Sequence, residues 1–510
     1  MYSSDLPLLA SARLLAIISA SLITLMTPVV AKSDLMPERV IFILSDDHRH
    51  DFMGFTGKIP WLKTPNMDRM ASDGAHFSNA YVTTSLCSPS RATILTGLYA
   101  HQHTIVDNQA PNPGGLTYFP EYLQKAGYQT AFFGKWHMGD HSDDPQPGFN
   151  HWESFKGQGV YYGPLLNING AHTQYDKTVY TTDLLTEHAI EWMQAQPKNQ
   201  PYFLYLSHKS VHAEFAPAQR HKGRYSAKAY TLPATFDQTK TGEYRNLKWP
   251  EWVQQQRISW HGVDYMYHQN RSLQEQVHNY CETLLGVDDS IGQIMKYLDE
   301  AGLTDSTLVI YMGDNGFSWG EHGLIDKRHF YEESGKVPLL MHFPNGIQPK
   351  QKIDALVNNT DIAPTILAAA NLSAPKEFVG HSMLQVLNGK APINWRQNIF
   401  YEYYWEYNFP HTPTTFALRT DNFKYITYHG LWDLDELYDM QNDPKEMKNL
   451  INDKRYADTV VDMRSRLYDR LSDARHGLAV PFTRKTDDEN LLRHSEGSQA
   501  AEFPNEWLRN

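Results

Sequence analysis

Five short apolar runs recur along the chain: RVIFILSDD at 39–47, TAFFG at 130–134, PYFLYLS at 201–207, TLVIYMGDN at 307–315 and PLLMHFP at 338–344. Each has the length and composition of a buried strand. Between them lie stretches with helical periodicity: TPNMDRMASDG, FPEYLQKAG, TTDLLTEHAIEWMQAQ and ETLLGVDDSIGQIMKYLDEAG. Strands alternating with amphipathic helices predict an α/β fold, with a large mixed, mostly parallel sheet flanked by helices. In such sheets the site lies beyond the carboxyl ends of the strands. Asp46, Asp47, Asp314 and Asn315 all fall at such ends.

The rest of the chain divides around that pattern. Arg13 precedes LLAIISASLITLMTPVVA, and Val29 and Ala31 fit the small-residue cleavage rule, so residues 1–31 read as a signal peptide. An uncleaved anchor is the alternative, because the run approaches spanning length. A cleaved signal implies a secreted or periplasmic protein with no stable membrane insertion. Residues 32–400 form the α/β domain, in which 220–275 read as a long aromatic and polar insertion. Residues 401–476 read as a smaller C-terminal unit, with YEYYWEY, TTFALRT, FKYITYH and DELYDM as short antiparallel strands before a helix. Residues 477–510 read as a polar tail.

Composition narrows the partners. Of 510 residues, 41% are hydrophobic and 20% charged, enough for a substantial core, and the aromatic residues read mainly as part of it. A net charge of -12 argues against a nucleic-acid partner, while leaving room for an anionic ligand in a locally positive cleft. Two cysteines, Cys87 and Cys281, make no disulfide scaffold. Cys281 reads as a helix core residue.

Two motifs carry the chemistry. The first is Cys87-Ser88-Pro89-Ser90-Arg91, running on to Leu95-Thr96-Gly97. The second is Gly127-Tyr128-x-Thr130 with Gly134-Lys135-x-His137. Together they resemble both signatures of the formylglycine-dependent sulfatases of the alkaline phosphatase superfamily, in order and complete. The likeness extends to Asp46-Asp47, to Asp314-Asn315-Gly316 and to LYDMQNDPKEMKNL, and so spans nearly the whole mature chain.

The resemblance implies a sulfuric ester hydrolase whose Cys87 is oxidised to formylglycine (3-oxoalanine) by a formylglycine-generating or anaerobic sulfatase-maturing enzyme. The hydrated aldehyde would attack sulfur, forming a covalent sulfo-enzyme, and the aldehyde would re-form as sulfate leaves. The same conversion makes a Cys87–Cys281 bridge an unlikely fate for the thiol. Asp46, Asp47, Asp314 and Asn315 offer only oxygen ligands, which suit Ca²⁺ or Mg²⁺, and the resemblance points to one Ca²⁺ shared with the modified Cys87.

By the same resemblance Arg91 steadies the formylglycine, Lys135 contacts sulfate, and His137 serves as base when the aldehyde re-forms. His212 faces the sulfate and leaving-group oxygen. Lys327 registers with the second sulfate-binding lysine, with its neighbours Arg328 and His329 as alternatives if the register shifts. His208 is a substrate-binding candidate that reads equally as a packed core imidazole.

The substrate expected is a sulfated carbohydrate, either an algal polysaccharide such as ulvan or a glycosaminoglycan-type oligosaccharide. Two other readings are a phosphonate monoester or phosphodiester hydrolase of the same fold and an inactive sugar-binding relative.

Overall fold

Five parallel strands run through the middle of a ten-stranded sheet in the computed structural model, which describes residues 36–139, 142–237, 249–256, 271–387, 389, 391–430 and 433–472. In chain order the strands are β1 (Arg39–Ser45), β2 (Ala75–Phe77), β3 (Ala80–Tyr81), β4 (Gln129–Lys135), β5 (His151–Phe155), β6 (Leu165–Ile168), β7 (Ala171–Gln174) and β8 (Tyr202–Ser207). They continue with β9 (Thr307–Gly313), β10 (Leu339–His342), β11 (Gln351–Ile353), β12 (Val357–Asn358), β13 (Asn398–Tyr403), β14 (Thr414–Thr420), β15 (Phe423–His429) and β16 (Glu436–Asp439).

The large sheet has the order β11-β2-β10-β9-β1-β8-β4-β5-β6-β7. Strands β9, β1, β8, β4 and β5 are parallel. The run PLLMHFP forms β10, which pairs antiparallel with β9. A buried apolar run marks a strand but carries no sign of its direction. Strands β6 and β7 form a hairpin across Asn169-Gly170, both with positive φ, a two-residue turn whose Asn-Gly signal is present in the sequence.

Side-chain alternation along β1 shows why both sheet faces must be covered. Val40, Phe42 and Leu44 enter one core, together with Ile94 and Leu95 of the helix Cys87–Thr96 and Ile362 and Ile366 of the helix Ile362–Ala369. Ile41 and Ile43 enter the other, against Leu185 of the helix Thr181–Gln194 and Leu284, Ile291 and Ile294 of the helix Leu273–Ala301. Each such side chain contributes about 1.5–3 kcal/mol when fully buried, so a strand that faces helices on both sides has no position for an exposed polar residue.

Strands β13-β14-β15-β16 form a separate antiparallel sheet. The helix Ala457–Ser472 lays Val460, Met463, Leu467 and Leu471 on it, and these join the same continuous core as β1. The opposite face packs Tyr401, Tyr403 and Ile426 on Phe330, Tyr331, Trp249 and Trp252.

Part of the 220–275 insertion is therefore anchored. The helix Glu251–Gln256 receives Asp433, which accepts from the backbone N–H groups of Glu251 and Trp252 at 2.9 Å each. The long helix starts at Leu273, capped by Ser272, so the insertion ends before 275. Residues 238–248 and 257–270, the 1–31 leader and the 477–510 tail lie outside the described residues.

Candidate active site

Four neighbouring strands deliver the polar residues. Asp46 and Asp47 follow β1, Asp314 and Asn315 follow β9, Lys135 closes β4, and 208–212 follow β8. Because these strands are adjacent and parallel, their carboxyl ends converge on one edge. Gly134 makes the delivery of Lys135 possible. Its φ is +108°, and a Cβ there would run into the Ser207 carbonyl oxygen.

The helix Cys87–Thr96 points its first turn at that edge. The Cys87 thiol donates to Asp46 Oδ1 at 3.3 Å, and Lys327 Nζ donates to Cys87 Sγ at 2.8 Å. Arg91 lies one helical turn on, so it shares the Cys87 face. Its guanidinium donates to Asp314 Oδ2 at 2.9 Å, to the Lys135 carbonyl at 2.7 Å and to Ser207 Oγ at 2.6 Å, and lies 3.5 Å from Asp46 Oδ2. Lys135 Nζ donates to Asp46 Oδ2 and, at 2.5 Å, to Gln158 Oε1. Lys327 Nζ also reaches Asp47 Oδ1 at 2.5 Å. His212 Nε2 stands 3.9 Å from Asp47 Oδ2. His137 Nδ1 is 3.3 Å from the hydroxyl of Ser88, which also donates to the His137 carbonyl.

The charges of this cluster are poorly matched. Burial alone would raise Asp46, but Lys135, His212, Arg91 and Lys327 hold it well below the usual carboxylate range. Asp47 is pushed up to about 7 by burial and by its neighbours Asp46 and Asp314, against the pull of Lys327. Asp314 is raised by burial and Asp46 despite Arg91. Burial, with Asp46, pushes the Cys87 thiol up to about 12, so the unmodified sulfur is neutral near pH 7 and a poor nucleophile. Burial holds His212 well below the ordinary imidazole value.

Carboxylate oxygens of Asp46, Asp47 and Asp314 lie within 4.8 Å of one another. Asn315 Nδ2 donates to Asp47 Oδ1 at 2.7 Å, while its Oδ1 is buried with no hydrogen-bond partner among the described residues. Three crowded carboxylates and an orphaned amide oxygen form an all-oxygen donor set, which fits a hard dication.

The structure therefore brings together Asp46, Asp47, Cys87, Arg91, Lys135, His137, His212, Asp314, Asn315 and Lys327. It places His208 elsewhere. That imidazole is fully buried, with Nε2 on Ser290 Oγ of the long helix at 3.0 Å, and burial pushes it down to about 3. Its position directly after β8 points it into the packing between that strand and the helix. Cys87 and Cys281 are both free thiols, and Cys281 is buried in the long helix.

Gln158, Ser207 and Lys209 escaped the sequence reading. Lys209 is buried over the Tyr161 ring, 4.8 Å from its centroid, and is pushed down to about 8 by burial and Lys135. Single polar residues on loops have no periodicity to mark them. Only the adjacency of Lys209 to the His208–His212 segment offered a signal.

Known proteins place this geometry. The family model described as Sulfatase matches residues 38–372, and the model of the N-sulphoglucosamine sulphohydrolase C-terminal region matches 320–473. An N-acetylglucosamine-6-O-sulfatase of Bacteroides thetaiotaomicron is 33% identical over 84% of this chain and 85% of its own. A solved structure in complex with its substrate D-glucosamine-2-N,6-O-disulfate is 31% identical, with a TM-score of 0.75 over 85% of this chain and 97% of that one. A phosphonate monoester hydrolase of Agrobacterium radiobacter shares the fold, with a TM-score of 0.70 at 22% identity over 89% of this chain and 98% of that one.

Proposed function

Because the chain belongs to the sulfatase family, and is a sulfuric ester hydrolase, we propose that it removes sulfate from sulfated saccharides, with Cys87 converted to formylglycine and Asp46, Asp47, Asp314 and Asn315 holding one Ca²⁺. The observation that carries the reading is the convergence of Lys327 and Asp46 on Cys87 Sγ, with Lys135 and Arg91 on the same carboxylate. The preference for a 6-sulfated hexosamine is supported by the likeness to the N-acetylglucosamine-6-O-sulfatase and to the glucosamine disulfate complex.

Once formed from Cys87, the hydrated aldehyde would supply a nucleophile for sulfur and a second hydroxyl for release of sulfate. A Ca²⁺ held by Asp46, Asp47, Asp314 and Asn315 would supply fixed positive charge to the site. The chain's own groups do the rest. Arg91 fixes Asp314 and Asp46, which sets the positions of two metal ligands. Lys135 and Lys327 are held within contact of the carboxylates, so both ammonium groups are positioned before an anion arrives. His212 is neutral in the free enzyme. An approaching sulfate favours its protonated form and makes it a donor to the sulfate and departing oxygen. The contact of His137 Nδ1 with the Ser88 hydroxyl beside position 87 supports a general-base role for His137 there. We also propose export through the 1–31 leader, which the apolar 14–31 run supports.

The test is sulfate release from N-acetylglucosamine-6-sulfate beside hydrolysis of a phosphodiester, on protein whose Cys87 peptide has been weighed. An aldehyde at position 87 with faster release from the sulfate ester is the expected result. Faster phosphodiester cleavage would transfer the reading to the phosphonate hydrolase class. A bare thiol with full sulfatase activity would overturn the role of Cys87.

A further inference from the structure

We infer that His322, Glu333 and Glu446 form a second metal site, separate from the Asp46–Asp47–Asp314 cluster, that binds one transition-metal dication of the Zn²⁺ class. One ring nitrogen of His322 and one carboxylate oxygen from each glutamate lie within 4.8 Å of one another. Zinc ligands sit about 2.0–2.2 Å from the ion in tetrahedral geometry, so any two of them lie roughly 3.3–3.6 Å apart. Side-chain rotations that draw the atoms together by up to about 1.4 Å would close the difference.

Among the described residues Glu333 forms no ion pair, whereas Glu446 already pairs with Lys424. Lys424 lies between Glu332 and Glu446, 2.7 and 2.8 Å from their oxygens. Lys336 and Arg419 both turn to Glu332, at 3.7 and 3.9 Å. Arg49 is shared by Asp51 and Glu321. Glu333 is left facing Glu321 and Glu446, and its buried Oε2 has no hydrogen-bond partner among the described residues. Burial and those two acids push Glu333 up to about 8, and burial pushes Glu446 up to about 7.

His322 is prepared as a ligand. Its ring stacks on Tyr331 at 3.9 Å and lies 4.4 Å from the Trp249 ring centroid, which fixes its plane. Burial holds it well below the ordinary imidazole value, and the neutral ring is the form that binds metal. One nitrogen and two carboxylates suit Zn²⁺ better than Ca²⁺, which prefers oxygen alone. Of the three residues, Glu333 also lines a cavity of about 670 Å³, together with Glu332, His50 and Arg419.

His322 and Glu333 bracket Lys327 in the chain, and Glu446 follows β16. An ion held by all three would therefore pin the Lys327 loop to the C-terminal sheet. This does not depend on the identity of the substrate.

The experiment is equilibrium dialysis of the full protein against Zn²⁺ with Ca²⁺ in excess, followed by elemental analysis. Glu333→Gln and His322→Asn serve as variants, the second because asparagine tolerates the positive φ of 53° at that position. The wild type is expected to hold one Zn²⁺ per chain, and each variant to bind at least about tenfold more weakly. Zn²⁺ should raise the melting midpoint of the wild type alone, while the zinc-free midpoints agree. Wild type without bound Zn²⁺ overturns the site. So does zinc retained equally by both variants, which would locate it at surface histidines such as His151 and His188.

Discussion

Two buried ion clusters follow β1 almost side by side, and they solve the problem of buried charge in opposite ways. In the first, Arg49 grips Asp51 at 2.6 and 3.1 Å and Glu321 at 3.2 and 3.0 Å, and Phe52 covers the guanidinium at 4.5 Å. Burial works to raise Asp51, yet Arg49 holds it well below the usual carboxylate range. In the second, around Cys87, Asp47 and Asp314 are both raised and Asn315 Oδ1 has no partner among the described residues. A matched network fixes a loop, whereas an unmatched one retains affinity for something outside the chain. The comparison predicts that changes in the Arg49 network cost folding and that changes around Cys87 cost turnover.

The largest effect should come from Cys87→Ala. Turnover of N-acetylglucosamine-6-sulfate is expected to fall by on the order of 10⁴-fold or more, because alanine cannot be converted to the aldehyde nucleophile. The melting midpoint should stay near that of the wild type. A large loss of stability with this small substitution would erase the contrast between the two clusters.

Arg49→Ala comes next and should act on folding. Removing one partner of a buried pair costs about 3–5 kcal/mol, here because Glu321 and Asp51 lose their shared cation. Denaturant titration reads this directly. The pair also carries an acid dependence. Asp51 has a lower pKa folded than unfolded, so its contribution is complete above the unfolded value of about 3.9 and fades as pH falls below it. The stability gap between wild type and Arg49→Ala should therefore narrow in acid. A gap that widens in acid would contradict the pairing.

Lys135→Ala returns to turnover, with an expected loss of about 10²-fold or more, equivalent to roughly 2.7 kcal/mol of transition-state stabilisation. Lys135 is fully buried and touches Asp46 and Gln158 only through its ammonium. Near-normal turnover would show that the matched and unmatched clusters differ in charge but not in role.

Much of this was readable before the structure. Strands β1, β4, β8 and β9 announced themselves as apolar runs, and a parallel sheet turns strand-end carboxylates into neighbours, so Asp46, Asp47, Asp314 and Asn315 could be placed together from sequence. Cys87 and Arg91 were legible through the signature that carries them, and the helix Cys87–Thr96 then sets them one turn apart. Less visible were relations that depend on direction or on loop path. Strand β10 runs against its neighbour, and Glu321 reaches Arg49 from far along the chain. Gln158 meets Lys135 from the loop after β5. None of these follows from a period of 2 or 3.6, because each is set by where an irregular segment ends.

The smallest effect sharpens the comparison at a single segment, where His208 and His212 stand one helical repeat apart on a stretch that is not helical. His212 faces Asp47, while His208 bonds to Ser290 in the core. A group that transfers protons in the reaction contributes about 10²–10⁴-fold. His208→Gln should therefore lower turnover by less than about tenfold, while costing about 1 kcal/mol through the lost bond and altered packing. Its pH signature has a definite sign. His208 sits near 3 when folded and about 6.5 when unfolded, so the wild type loses stability from this ring as pH falls through 6.5 toward 3. Glutamine has no such proton to gain, and the variant should lose less stability than the wild type over that interval. Equal acid sensitivity, or a turnover loss of 10²-fold, would move His208 out of the core and into the site beside His212.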